Sequence, residues 1–523
     1  MPACKKNTGG GGGGGGTNPP GGTDTSGTLQ SAAAFPVGIG IQYNLMKNNA
    51  SYSSLVKKEF DNVTFGYEMK HGAIVKADGT LDFTRADELV TIVGTGMDIY
   101  GHTLAWHQNN NGNYLRSLTV ASSGTGANLL TNGNFEDGDA TSFTNWSRLV
   151  GGSAVAAFDV STTDVAEGTR AFKVVVTTAG ANAYDVQAIN SASWTAQVGK
   201  SYLVKFNAKS VGANGSVRLV NQNASYQAAD FNLTTAWAEY TWTLSALETS
   251  PQIRLNFPAA GTYLIDNIRV TEASVAPLPV AEISKNIDTA LKTFITGMVT
   301  HYKTRVHAWD VVNECMADGT SGLRLNPTPG TTTGDAFYWS EYLGREYITK
   351  AFQYAHAADP TALLFLNDYN LESNSAKLDS TVNLINELKA KGVPIHGVGI
   401  QMHANINTPH SGVDAAFQKL AGTGLKIKVT ELDVRMNPGD MAGFTPTATL
   451  LTQQADFYKY VVESYLHNVP QAQRYGITVW DLTDADSWIV TYQNKTDFPA
   501  LFDNTYKKKP AYYDFLAALK KSQ

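Results

Sequence analysis

Short β-branched runs alternate with stretches of helical spacing along this chain, break off once, and then resume. The first runs are 37–41, 62–65 and 97–104, with helical spacing over 55–60 and 85–93 between them. Such alternation predicts βα units around a parallel sheet. It resumes with predicted helices over 283–302, 338–357, 376–391, 413–420 and 449–468. Interleaved with these are predicted strands over 305–312, 362–366, 397–401, 426–430 and 475–479. Three strands precede the break and five follow it. Eight βα units make a closed (β/α)8 TIM barrel, so the fold class expected is α/β.

Within the break, 124–275, the texture changes to short alternating runs separated by Gly, Asn, Ser and Thr: 172–177, 202–209, 217–221, 240–244, 252–256 and 263–270. These predict an all-β jelly-roll sandwich inserted after the third barrel strand. Loops at that position tolerate insertions and carry function. The expected organisation is a tether over 1–34, a barrel over 35–123 and 276–523, and the sandwich over 124–275.

The tether is dominated by an unbroken glycine run from Gly9 to Gly16, which cannot bury enough apolar surface to order itself. Cys4 follows Ala3 and precedes polar residues, which resembles the mature start of a bacterial lipoprotein acylated on that cysteine. The expectation is a secreted or surface-tethered monomer that meets a membrane only through a lipid on Cys4. The other cysteine, Cys315, lies far along the chain, so no internal disulfide is expected. A net charge of −6 leaves no footprint for nucleic acid, and no run of about 18 apolar residues predicts a membrane span. Neither His-Glu-x-x-His nor a cysteine cluster is present, so no catalytic metal or other cofactor is expected.

Two segments carry the chemistry. Val306-His-Ala-Trp-Asp-Val-Val-Asn-Glu314 and Leu425-Lys-Ile-Lys-Val-Thr-Glu-Leu-Asp433 are β-rich runs with a glutamate towards the C-terminal end. Barrel enzymes place their reacting groups there, and two facing carboxylates are the minimal equipment for cleaving a glycosidic bond. Glu431 and Asp433 are two apart, as are Gln401 and His403, so each pair shares a strand face.

With these segments, Gly101-His-Thr-Leu-Ala-Trp-His107, Asn367-Asp-Tyr369, Gly399-Ile-Gln-Met-His403, Trp480 and Trp488 appear in order along the chain. Together they resemble glycoside hydrolase family 10, the retaining β-1,4-xylanases. The resemblance implies endo-acting hydrolysis of xylan and xylo-oligosaccharides, with Glu314 as acid/base and Glu431 as nucleophile. It makes His403 and Asp433 supports of the nucleophile and Asn313 a partner of the sugar 2-hydroxyl. Lys70, His102 and Gln401 become polar sugar contacts and Trp106, Trp480 and Trp488 aromatic walls, with Tyr369 and Asp310 as supports. The chain departs from the family where Gly66 and Tyr67 replace a Glu-Asn pair that grips the second sugar from the cut, and where Ile489 follows the last tryptophan. Tyr67 is expected to offer stacking instead. Alternatives are a retaining glycosidase for another β-glucan or a decorated xylan, and a non-catalytic surface glycan-binding protein.

In the break, Asn128-Leu-Leu-Thr-Asn-Gly-Asn-Phe-Glu136 and Leu264-Ile-Asp-Asn-Ile268 resemble carbohydrate-binding modules of the family 4/9/22 group. That resemblance implies a sugar-binding module, with Trp194, Tyr184 and Tyr226 as stacking candidates and Glu136 and Asp266 beside a structural calcium. Trp237 reads as a packing residue.

Overall fold

Eight parallel strands close on themselves in the computed structural model, which describes residues 26–318, 322–328 and 330–523. Cys4 and the glycine run lie outside the described residues. The barrel strands are β1 (Val37–Ile41), β2 (Asn62–Phe65), β3 (Asp98–Ala105), β4 (Val306–Asn313), β5 (Leu363–Asp368), β6 (Gly397–Ile400), β7 (Lys426–Arg435) and β8 (Arg474–Val479). Each pairs with its neighbours in chain order, β8 pairs β1, and the circle is complete. Val37–Ile41 is buried at every position, as expected of a strand covered on one side by helices and on the other by the barrel interior.

The outer helices follow their apolar spacing. Helix Val280–Tyr302 turns Ile287, Leu291, Phe294, Ile295 and Met298 inward. The helix expected over 338–357 is instead two, Trp339–Leu343 and Glu346–Ala358. Between them Gly344 adopts φ +61°, a left-handed conformation that ends the first helix.

The lower barrel interior is closed by Tyr100, Phe365 and Tyr475, with Tyr100–Phe365 and Phe365–Tyr475 ring centroids 5.7 and 4.9 Å apart. Nearby, the buried Lys428 ammonium donates to Thr478 Oγ1 at 2.7 Å, and burial pulls its pKa down to about 8. This plug forms the floor under the polar C-terminal mouth.

Between β3 and β4 the chain builds two antiparallel sheets. One contains Ala238–Ser245, Ser201–Val211, Gly261–Pro277, Ala171–Thr178 and Val155–Ser161, and Val120–Thr125 pairs with the third of these. The other runs Gln227–Leu233, Gly215–Asn221, Ile253–Asn256, Val186–Asn190 and Trp146–Val150. A separate core including Phe135, Phe172, Phe206 and Phe231 lies between them. The chain enters and leaves along a paired ribbon in which Val120 faces Pro277 and Thr125 faces Glu272. A loop of the barrel is docked on this unit: Ala77 packs against its core and Asn232 Nδ2 donates to Thr80 Oγ1 at 2.7 Å. Among the described residues no helix is long and apolar enough to cross a membrane.

Candidate active site

Glu314 is the first residue after β4 and has φ +54°, an uncommon and strained conformation for a side-chain-bearing residue. The surrounding structure holds it from both ends. Its N–H donates to Asn367 O at 2.8 Å, and its carbonyl accepts from Arg324 Nε at 2.9 Å. Arg324 is in turn held by the Tyr369 hydroxyl at 2.7 Å and Asp318 at 3.1 Å. The turn thereby aims the carboxylate at neutral donors: Trp106 Nε1–H at 2.8 Å, Gln401 Nε2–H at 3.0 Å and Asn313 Nδ2–H at 3.4 Å.

Glu431 lies on β7, where the register with β8 slips between Val429 and Leu432. The irregularity brings two successive side chains, Thr430 and Glu431, to the same Asn367. Asn367 Nδ2 donates to Glu431 Oε1 at 3.0 Å and to Asn313 Oδ1 at 2.9 Å, while its Oδ1 accepts from Thr430 Oγ1 at 2.8 Å. One carboxamide therefore ties β4, β5 and β7 together beneath the two glutamates.

Behind Glu431 stands a charged relay. His403 Nε2 is 3.3 Å from Glu431 Oε2, and its Nδ1 is 2.8 Å from Asp433 Oδ2. The same Asp433 oxygen accepts from Trp488 Nε1 at 2.9 Å. Burial pushes Glu431 up, but the His403 hydrogen bond and the nearby positive charges outweigh it, and the pKa falls below the ordinary carboxylate value. Burial lowers His403, but Asp433 and Glu431 overcome that and hold the imidazole well above its ordinary 6.5.

These two shifts fix the sign of a stability profile. The His403 contribution is complete below 6.5 and is lost as pH rises through its elevated folded value. The Glu431 contribution is complete above 4.5 and is lost as pH falls through its depressed folded value. Thermal unfolding across pH should therefore show the largest difference between the native chain and His403→Asn between about pH 4.5 and 6.5. That difference should shrink towards alkaline pH. A difference that grows with pH would contradict the pairing.

The mouth is walled by half-buried aromatic rings of Trp106, Trp480 and Trp488. Gly40 makes room for one of them, since a Cβ there would lie 2.7 Å from Trp480 Cε3. His102 stands edge-on to Trp480 at 5.9 Å, and its Nδ1 pairs with Asp310 Oδ2 at 2.9 Å, as the Tyr100 hydroxyl does with Asp310 Oδ1 at 2.7 Å. Lys70 Nζ sits 4.7 Å from the Trp106 ring centroid; burial lowers its pKa against the opposing fields of Glu431 and Glu314. Tyr67 is 43% exposed just beyond β2, next to Gly66.

The profile of glycosyl hydrolase family 10 matches residues 28–221 and 274–518. The chain belongs to that family. It is 40% identical over 246 residues to endo-beta-1,4-xylanase Xyn10C of Cellvibrio japonicus, a match covering 44% of this chain and 39% of that protein. It is 39% identical over 232 residues to exoglucanase XynX of Acetivibrio thermocellus, covering 43% of this chain and 19% of the relative. The matches thus span less than half the length of these relatives. Among solved structures, native xylanase10C from Cellvibrio japonicus superposes with TM-score 0.58 at 24% identity, covering 95% of this chain and 73% of that one. The GH10 structure from Paenibacillus barcinonensis gives 0.57 at 22% identity, covering 94% and 97%. At these identities the two share the fold.

Elsewhere in this family 10 chain the expected residues divide. Tyr184 and Tyr226 are 56% and 55% exposed on the insertion. Trp194 is a correction: at 2% exposure it stands edge-on to Tyr202 at 4.7 Å and donates Nε1–H to Asn221 Oδ1 at 3.3 Å. It lies in the connection between Val186–Asn190 and Ser201–Val211, and the insertion closes over it. Trp237 is half-buried, with its Nε1 donating to Asp164 Oδ1 at 2.8 Å. Glu136 accepts from the backbone N–H groups of Thr169 and Arg170 at 2.9 and 3.1 Å. Asp266 Oδ2 accepts from Ala166 and Glu167 N–H at 2.9 and 3.0 Å, while its buried Oδ1 has no hydrogen-bond partner. No group of three or more metal-ligating side chains occurs among the described residues. Cys315 is buried beside Glu314, and burial pushes its thiol up. Ile489, after the last tryptophan, is also buried. The central position of Asn367 and the hold of Arg324 were missed. The motif Asn367-Asp-Tyr369 flagged the first, but no local signal marked the second.

Proposed function

We propose that this chain hydrolyses β-1,4-xylosidic bonds within xylan chains with retention of configuration. One observation carries the reading. A buried glutamate, Glu431 on β7, and a half-buried one, Glu314 after β4, enter one network through Asn313, Asn367 and Gln401, yet face different partners. Glu431 meets a cationic imidazole and suits an anionic nucleophile, whereas Glu314 has no cation among its hydrogen-bond partners and takes the acid/base role that the family resemblance gives it. The names of the xylanase relatives support the substrate.

In the first step a Glu431 oxygen attacks the anomeric carbon as the bond to the leaving oxygen breaks, and Glu314 gives its proton to that oxygen. A glycosyl ester on Glu431 results. Water then attacks the same carbon and loses its proton to Glu314, and the Glu431 ester oxygen leaves as carboxylate. Asn313 takes the sugar 2-hydroxyl in this reading, through a hydrogen bond that strengthens as positive charge develops at the ring. His102, Lys70 and Gln401 supply polar sugar contacts, and Trp106, Trp480 and Trp488 supply the faces on which rings stack.

Product analysis on xylan, arabinoxylan, mixed-linkage glucan and cellulose tests this. Xylo-oligosaccharides of mixed length, released first as the β anomer, are expected; untouched xylan beside cleaved glucan would sink the reading. Gly66 and Tyr67 favour a second reading, a β-glucan or decorated xylan bound through the Tyr67 ring, and the same panel separates the two. Gly40→Ala should push the Trp480 ring aside and raise KM for xylohexaose roughly tenfold, equivalent to about 1.4 kcal/mol of lost binding. An unchanged KM would show that this ring carries no sugar.

The same proposal takes the insertion as a jelly-roll carbohydrate-binding module, with Tyr184 and Tyr226 as its stacking rings. A structural calcium beside Asp266 is supported by the partnerless Oδ1, whose carboxyl burial pushes up to about 6. A chelator should then lower the melting temperature of the insertion and added calcium restore it; no response removes the calcium. Acylation of Cys4, a surface location and a monomeric state complete the proposal, and mass spectrometry of the natural protein tests the lipid.

A further inference from the structure

Where the barrel meets the insertion there is a cavity of about 540 Å3 to which both contribute. On the barrel side it is lined by Lys76, Asp82, Asn113 and Tyr114. On the insertion side it is lined by Asp230 and Trp242, which lie on Gln227–Leu233 and Ala238–Ser245. Each of these strands is the edge of its own sheet. The walls do not merely lie near one another: the docked Ala77 and the bond from Asn232 to Thr80 hold them together. Junctions between folded units are where small-molecule sites concentrate, and the volume suits a short oligosaccharide.

The chemistry of the lining selects the class of ligand. Its three charged residues are already matched. Lys76 Nζ lies 2.8 Å from Asp82 Oδ2, and Asp230 takes a two-pronged bond from Arg218 at 2.7 and 2.9 Å. With each charge neutralised in place, the cavity has no field to attract an anion or a cation. What remains is the half-buried rings of Trp242 and Tyr114, the Asn113 amide, and the spare lone pairs of two carboxylates held rigid by their cations. Flat apolar faces beside fixed acceptors suit the alternating CH and OH surfaces of a neutral sugar. The lining also begins at Gly72, two residues beyond Lys70 of the catalytic mouth. Tyr184 and Tyr226 do not line it.

The geometry points to a second saccharide site at this junction, which binds a neutral β-linked oligosaccharide segment separately from the catalytic mouth. The identity of the sugar rests on the substrate reading above; the existence of the site does not. Calorimetric titration of the full chain carrying Glu431→Gln, with xylohexaose and separately with cellohexaose, tests it. Adding Ala228→Arg, a bulky residue on the cavity wall, should lower the stoichiometry with one of these sugars by one site per chain. Trp242→Ala should do the same, and Tyr226→Ala should not remove that site. Because Trp242 also packs on the insertion core, Ala228→Arg is the deciding variant. Stoichiometry unchanged by Ala228→Arg with both sugars overturns the proposal. Failure of the native chain to cleave xylan sinks only the substrate reading, since the titration still registers the junction site.

Discussion

Glu431→Ala should abolish turnover on every substrate, by roughly 10⁴–10⁶-fold in kcat, as removal of an attacking group does in other covalent mechanisms. Neither of the other two carboxylates joined to its network can take its place. Asp433 is committed to His403 and Trp488, and Glu314 is held by Trp106 and Gln401. The loss should be as deep on an aryl xylobioside with an excellent leaving group as on xylan, because no ester forms at all. A retained fold, read by an unfolding transition like the native one, separates chemistry from collapse. Undiminished hydrolysis in this variant would overturn the assignment.

Glu314→Ala should behave differently, and the contrast matters more than either loss alone. On xylan, where the leaving sugar needs a proton, kcat should fall about 10²–10⁴-fold. On a dinitrophenyl xylobioside the first step needs no acid, so release of the phenol should begin as a fast burst. The second step then lacks its base, and the glycosyl ester should accumulate to a mass detectable on the intact protein. Equal losses for both variants on the activated substrate, with no trapped ester, would reverse the roles assigned here.

Local pattern revealed those parts of the site that depend on one strand at a time. The spacing of Glu431 and Asp433 places both against His403, and β-branched runs marked β1 and β2 at their observed bounds. What escaped notice depends on closure of the barrel. Asn367 matters because three strands converge on it, and Arg324 matters because its loop folds back on the carbonyl of Glu314. Neither convergence has a period in the sequence. In the insertion, Gln227–Leu233 carries Gln, Ala, Asp and Asn, poor strand formers that become a strand by pairing with Gly215–Asn221. Trp194, in the connection between Val186–Asn190 and Ser201–Val211, was misplaced for the same reason: its burial depends on Tyr202 and Asn221, which only the folded insertion brings beside its ring.

The ribbon joining Val120–Thr125 to the end of Gly261–Pro277 has a consequence for how the two units assemble. The barrel meets its guest as it would meet an ordinary hairpin, since the two crossing points are neighbours across a ladder of backbone hydrogen bonds. Closing that gap therefore carries the small entropic penalty of a short turn once the guest has folded, however many residues it contains. Guests of very different size could occupy this socket without loosening the strands on either side of it.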